Sequence, residues 1–221
     1  MSVFLPNGSK FYIGSAYGTT STFTSASNAA ECVLSFATSP ALAVNDYIEL
    51  NCGWEAVDGN VYRVGAVSGA GPYLVTLAEL NTTDTGVFPA GGAANGTVRK
   101  ITTWTEITQV ETPSTSGGEQ QFITYQMIAS DRERRLPSFR NAQGLQLTFF
   151  DDPTLAWYSS VLAASNNNAN PYAIKVDLKS GAKIVASGYW SLQKMPNMAA
   201  NTPMTASIDI AIRNDVVRYA S

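Results

Sequence analysis

The chain has 221 residues, 45% of them apolar and only 14% charged, with a formal net charge of −3 and no histidine. That length suits one or two domains with a sizeable core, and the small net charge suggests neither a nucleic-acid binder nor a polyanion mimic. Without histidine there is no Ser–His or Cys–His nucleophile pair, no His-ligated metal and no ordinary general base at neutral pH, so no catalytic, cofactor-binding or metal-binding residue is assigned and the chain is read as a non-enzyme.

Cys32 and Cys52 form no CxxC pair and are too few to hold a tetrahedral zinc within one chain. They read as free, small apolar residues in a reducing cytoplasm, with a single disulfide as the alternative. The opening MSVFLPNGSKFYIG has no basic stretch followed by an apolar run, and no segment approaches the roughly 18 apolar residues of a membrane helix. A soluble product with no membrane segment is expected.

In chain order, a short strand is predicted over 10–16, followed by a polar loop over 18–28 (GTTSTFTSASN). From 29 to 99 the texture changes to short β-like runs at 33–37, 47–51, 61–67 and 73–80. Turn signals divide them at Ser39-Pro40, Asn45-Asp46, Asp58-Gly59-Asn60, residues 69–72 and Gly91-Gly92. Spacing of this kind predicts a small β barrel or sandwich. The segment holds seven acids and two bases, a net of −5 against +2 for the rest, and this contrast points to an inserted module.

Beyond residue 100, the stretch 101–110 alternates loosely and 113–118 (PSTSGG) reads as a loop. Residues 119–129 (EQQFITYQMIA) predict a longer strand, with Phe122 and Ile128 on one face and Ile123, Tyr125 and Met127 on the other. A charged loop is expected over 130–141 (SDRERRLPSFRN), then a strand over 144–150 with Leu145, Leu147 and Phe149 on one side. One helix is predicted: Asp151-Asp152-Pro153 offers a cap and a Pro at the first position, Leu155, Tyr158, Val161 and Leu162 share a face, and Asn166-Asn167-Asn168 ends it. A hairpin follows, 172–179 into 183–192 around Ser180-Gly181, and the strand 204–213 sets Ala206, Ile208, Ile210 and Ile212 against Thr205, Ser207, Asp209 and Arg213.

The stretch WTEITQVETP (104–113), the loop 131–140, GLQLTFFDD leading into the helix, the hairpin YAIKVDLKSGAKIVASGYW and the closing ASIDIAIRND occur in a telling order. In that order, residues 100–214 resemble the tail tube proteins of long-tailed, non-contractile bacteriophages. The resemblance implies a mainly β fold: a sandwich or half-barrel tail-tube domain (1–28 with 100–221) flanked by one helix. Residues 29–99 fall outside the resemblance and read as an inserted small β module on the exterior of an assembly. It further implies a structural subunit whose hexameric rings stack into a conduit for the genome. Its partners would be copies of itself and other tail proteins (tail tip, tape measure, terminator), and DNA would pass without specific binding. The expected location is the virion tail, assembled in the host cytoplasm. Unpaired sheet edges and polar alternating faces agree with such an assembly.

Arg132, Glu133, Arg134, Arg135, Leu136 and Arg140 are the candidate subunit-interface residues. The favoured role of the arginines is to bind carboxylates of a neighbouring subunit; a solvated loop and a DNA patch are the alternatives. Two further readings of the whole chain stay open: the inner tube of a contractile tail or secretion-type apparatus, and a host-surface glycan binder using Trp54, Tyr47, Tyr62 and Tyr73 as stacking surfaces.

Overall fold

The computed structural model describes residues 7–91 and 95–220; Met1–Pro6, and the Gly92 half of the turn at Gly91-Gly92, lie outside the described residues. The strands, in chain order, are β1 (Lys10–Phe23), β2 (Ser25–Ala26), β3 (Val33–Phe36), β4 (Tyr47–Cys52), β5 (Asn60–Ser68), β6 (Tyr73–Leu77), β7 (Gly96–Ile107) and β8 (Val110–Ser116). They continue with β9 (Gln120–Gln126), β10 (Glu133–Arg140) and β11 (Gly144–Phe150), then the helix α1 (Ala156–Asn166), then β12 (Tyr172–Asp177), β13 (Lys183–Leu192), β14 (Thr205–Ile212) and β15 (Val217–Tyr219). The fold is mainly β with one helix, as the sequence implies.

One continuous sheet runs β2-β3-β6-β5-β4-β7-β1-β12-β13-β14-β11-β8, with β15 on β13, while β9 and β10 form a separate ribbon. β1 and β7 are long and belong to both halves. Near Lys10–Ile13, β1 pairs with β12 on one side and β7 on the other, and this part of the sheet curls over α1. The helix places Trp157 against Phe149, ring centroids 4.9 Å apart, and the indole Nε1 donates to Thr108 Oγ1 at 3.2 Å. Leu147, Val161, Ile174 and Ile208 complete this core.

At their other ends β1 and β7 become staves of a small barrel. Thr20–Phe23 pairs with Gly96–Arg99, β7 pairs with β4, and the ladder passes through β5, β6 and β3. It returns to β2, which continues β1 past Thr24. Closure removes free edges. Phe23, Leu34, Phe36, Ile48, Trp54 and Leu77 fill the interior.

A third cluster joins the two halves. Tyr47, Val61, Ile101, Val185 and Tyr219 are buried together there. Arg63 N–H donates to the Tyr219 hydroxyl at 2.8 Å, and its guanidinium lies 4.4 Å from that ring's centroid. Asn60 Nδ2 donates to the Asp215 carbonyl, Asn214 Nδ2 to the Asp58 carbonyl, and Arg213 pairs with Asp58 at 2.9 Å. Residues 213–219 thus staple the barrel to the helix-bearing sheet. Nothing in the sequence pattern pointed to β15.

Four local expectations are corrected. The polar stretch 18–28 is largely strand, because β7 supplies a full backbone ladder and Thr tolerates extended backbone well. Residues 113–116 are strand rather than loop, since Pro113 sits in edge strand β8, where no second partner needs its missing N–H. The charged stretch at 130–141 is not a loop but carries β10, held by backbone pairing to β9 that needs no apolar side chain. Finally, α1 starts at Ala156 with Leu155 as an N-cap that makes no side-chain bond. Asp152 is engaged earlier, accepting from Thr154 N at 3.0 Å and Thr154 Oγ1 at 2.6 Å in a local turn. Those bonds hold its carboxyl below the ordinary carboxylate range.

Candidate assembly surface

The ribbon begins where β8 ends. Gly117 and Gly118 both take positive φ, 74° and 84°, and a Cβ on Gly117 would collide with the Ala142 carbonyl. The two legs are clasped at the root: Gly118 N–H donates to Asn141 O (3.1 Å) and Asn141 N–H to Glu119 O (3.0 Å). Above the root the register pairs Phe122 with Pro137, Ile123 with Leu136, Thr124 with Arg135, Tyr125 with Arg134 and Gln126 with Glu133. Between Pro137 and Arg140 the register shifts, and Gln120 Nε2 bridges the irregularity by donating to the carbonyls of Ser138 and Phe139. At the tip, Gln126 Nε2 donates to Ser130 O and Ser130 N–H to Met127 O.

This register sorts the residues by face. Ile123, Tyr125, Arg134 and Leu136 lie on one side; Phe122, Thr124, Glu133 and Arg135 lie on the other. The six candidate interface residues are therefore all on the ribbon but do not share a face. Arg140 sits near the root and Arg132 in the turn. Among the described residues, none of these arginines forms an ion pair with a carboxylate of its own chain.

What the sequence reading did not assign to the interface is the apolar side chains of 119–129, which it placed on the two faces of a strand. Phe122, Ile123, Tyr125, Met127, Ile128, Leu136 and Phe139 are all exposed, and every residue of β10 is exposed. The signal was present, since apolar residues on both faces of 119–129 mark a strand covered on both sides. Among the described residues, no element covers it.

Elsewhere the free edge of β8 rims an open apolar groove of about 720 Å³, floored by Phe11, Leu145, Leu178, Ile184, Ile212 and Val216. A polar cleft of about 420 Å³ lies where the barrel meets the helix-bearing sheet, with Glu49, Asn51, Arg99, Asn170 and Tyr189 on its walls. There Glu49 accepts from Arg99 at 2.6 Å while the guanidinium stacks 4.1 Å from the Tyr17 centroid.

The aromatics proposed as sugar-stacking surfaces are otherwise engaged. Trp54 donates to the Pro89 carbonyl at 3.0 Å and meets Phe88 edge-on, Tyr47 and Tyr62 are buried, and Tyr73 is half-buried against the barrel core. They fill the module and its joint instead of presenting faces to a ligand. Both cysteines are free, and burial pushes the Cys32 thiol up to about 11, so it is a packing residue rather than a nucleophile. Among the described residues, no group of three His, Cys, Asp or Glu is placed to hold a metal ion, and no helix is long and apolar enough to cross a membrane.

A self-contained barrel, a sheet with an open edge at β8 and a ribbon of uncovered apolar side chains together define a class: structural subunits completed by other chains. The chain belongs to the phage tail tube protein (TTP) family, whose model matches residues 52–221. Members of that family are structural components of the virion tail.

No curated protein matches the chain. Among solved structures it is similar to a chain of the extended sheath–tube complex of an extracellular contractile injection system (PVC), at 15% identity and a TM-score of 0.38, over 49% of this chain and 80% of that one. It is also similar to a chain of the anti-feeding prophage (AFP) baseplate, at 8% identity and TM-score 0.40, over 82% and 97%. A chain of the AFP tube-terminating cap gives 18% identity and TM-score 0.34, over 49% and 79%. Likeness at this level adds nothing to the family assignment.

Proposed function

We propose that copies of this chain close into hexameric rings, and that the rings stack into the tube of a long, non-contractile phage tail through which the genome passes. The ribbon carries this reading. A lone two-stranded ribbon is marginal in water, and this one exposes apolar side chains on both faces, so it is ordered only at low cost when a neighbouring subunit covers it. The non-contractile type rests on the order of elements alone. Electron microscopy of virions containing the chain is expected to show a flexible tail without a sheath.

Within that reading, residues 29–99 are a module inserted into the tail-tube domain formed by 1–28 and 100–221, and they lie on the tube exterior. The acidic excess of that segment and its separate core around Trp54 support this. Arg132, Glu133, Arg134, Arg135, Leu136 and Arg140 form an inter-subunit contact, in which several exposed pairs of about 0–1 kcal/mol each act together around a closed ring. Tail tip, tape-measure and terminator proteins meet the tube at its ends, DNA moves through without specific contacts, and assembly takes place in the host cytoplasm.

Sedimentation and negative-stain microscopy of the purified chain over a wide concentration range test the reading. Rings or tubes are expected; a strict monomer at millimolar concentration overturns it. Changing Arg132, Arg134 and Arg135 together to Glu is expected to leave the monomer folded and to slow or stop tube growth, with raised salt weakening wild-type assembly in the same direction. A triple variant that grows tubes at the wild-type rate removes the arginines from the contact.

A further inference from the structure

A second uncovered apolar surface lies at the opposite end of the strand that leaves the ribbon. β11 runs from Gly144, beside the ribbon root, to Phe150, a rise of about 20 Å at the usual spacing. At that far end Phe150 pairs with Thr205, and Asp151 N–H donates to the Met204 carbonyl at 3.0 Å. The loop 193–204 enters from the end of β13 and is pinned by Asn197 N–H donating to Thr205 O. It presents Met195, Met198 and Met204 at 73%, 70% and 48% exposure, with Phe150 beside them at 37%. Unbranched thioether side chains adapt their shape to a partner, which suits a contact that repeats many times.

The two ends also differ in charge. Between 131 and 140 the ribbon carries four arginines against Asp131 and Glu133. At the methionine end Asp151 and Asp152 stand against Lys194, whose Nζ donates to Asn166 Oδ1 at 3.0 Å. An apolar basic surface and an apolar acidic surface, one at each end of the same strand, cannot satisfy one another within a single copy. Placed head to tail they meet between copies, and a heterologous contact of that kind propagates along the strand direction as an open stack.

We propose that the Ile123/Tyr125/Leu136 face of one copy's ribbon docks on the Met195–Met204 loop of the next copy, with Arg134 directed to Asp151. The inference rests on the reading of the chain as a self-assembling tube subunit, and it names a contact that reading leaves open. It makes the ribbon the axial joint of the stack, and it leaves the groove beside β8 and the polar cleft free of this contact.

Two experiments on the full chain test it. Leu136→Cys and Met198→Cys proteins, mixed and oxidised during assembly, are expected to form a disulfide-linked pair, with at least about tenfold more cross-linked product than either variant alone. Separately, Arg134→Asp and Asp151→Arg are each expected to slow tube growth about tenfold, and the chain carrying both changes to recover most of the wild-type rate, because the swapped charges attract again. If the wild type forms tubes while the mixed cysteines fail to cross-link and both charge variants grow normally, this contact is overturned and the assembly reading survives. If the wild type never leaves the monomer state, the assembly reading falls and this contact falls with it. Cross-linking without charge rescue keeps the apolar dock and removes the Arg134–Asp151 pair from it, which overturns that half of the proposal.

Discussion

In the barrel, Phe23, Phe36, Trp54 and Leu77 are enclosed almost completely, while in the ribbon every position of β10 is open to solvent. Both regions are antiparallel β structure, and both carry apolar and aromatic side chains. The difference lies in closure. The barrel's ladder returns to its own first strand, so each backbone edge and each inward side chain is satisfied within one chain. The ribbon has two strands and two edges, and among the described residues no sheet lies beneath it. Apolar residues in the first region stabilise the monomer, and in the second they are held in reserve for a neighbour.

That contrast predicts opposite responses to the same kind of substitution. Trp54→Ala is expected to destabilise the monomer by about 3–5 kcal/mol, measured by urea unfolding, because it empties a packed interior. Phe122→Ala in the ribbon is expected to change monomer stability by no more than about 0.5 kcal/mol and to reduce assembly instead. Comparable losses at the two sites would erase the distinction.

Replacing residues 29–99 by a short Gly/Ser linker sharpens the comparison from the other side. Phe23 lies in the barrel core but on a strand shared with the helix-bearing sheet, so the deletion exposes it and is best made with Phe23→Ser. The shortened chain is expected to stay folded by circular dichroism and to form tubes of smaller outer diameter. An insoluble product would show that the joint around Tyr47, Val61 and Tyr219 is indispensable to the rest of the sheet.

Alkali should find the joint before the ribbon. Burial pushes the phenols of Tyr17 and Tyr219 each up to about 12 from the ordinary 10, and it raises Tyr62 as well. Below pH 10 both folded and unfolded chains hold these protons, so the contribution to stability is complete. Above it the unfolded chain releases them first, and stability is lost progressively as pH rises from 10 toward 12. Phenolate absorbance near 295 nm is expected to lag behind that of model tyrosine and then to rise together with unfolding. The smallest effect belongs to the Arg213–Asp58 pair, whose side chains are about one third exposed: Arg213→Gln should cost about 0–1 kcal/mol by the same urea titration.

Where one face of a strand is buried in its own sheet, the residue pattern alone located it. The Ile ladder of β14, the β12–β13 hairpin and the short strands of the barrel all follow from period-two burial against turn residues. The absence of histidine and the run of elements after residue 100 were enough to point to a structural tail protein. Four features were decided only in three dimensions. β1 extends through a Ser/Thr run because β7 lies alongside it; Pro113 is strand because β8 is an edge. β10 is strand because β9 completes its backbone bonds, and Tyr219 anchors the C-terminal staple because Arg63 and Tyr47, far earlier in the chain, wait for it. In each, order comes from a partner's backbone or from a distant side chain. Local sequence records which faces of a strand are apolar, but not which remote segment will lie against it.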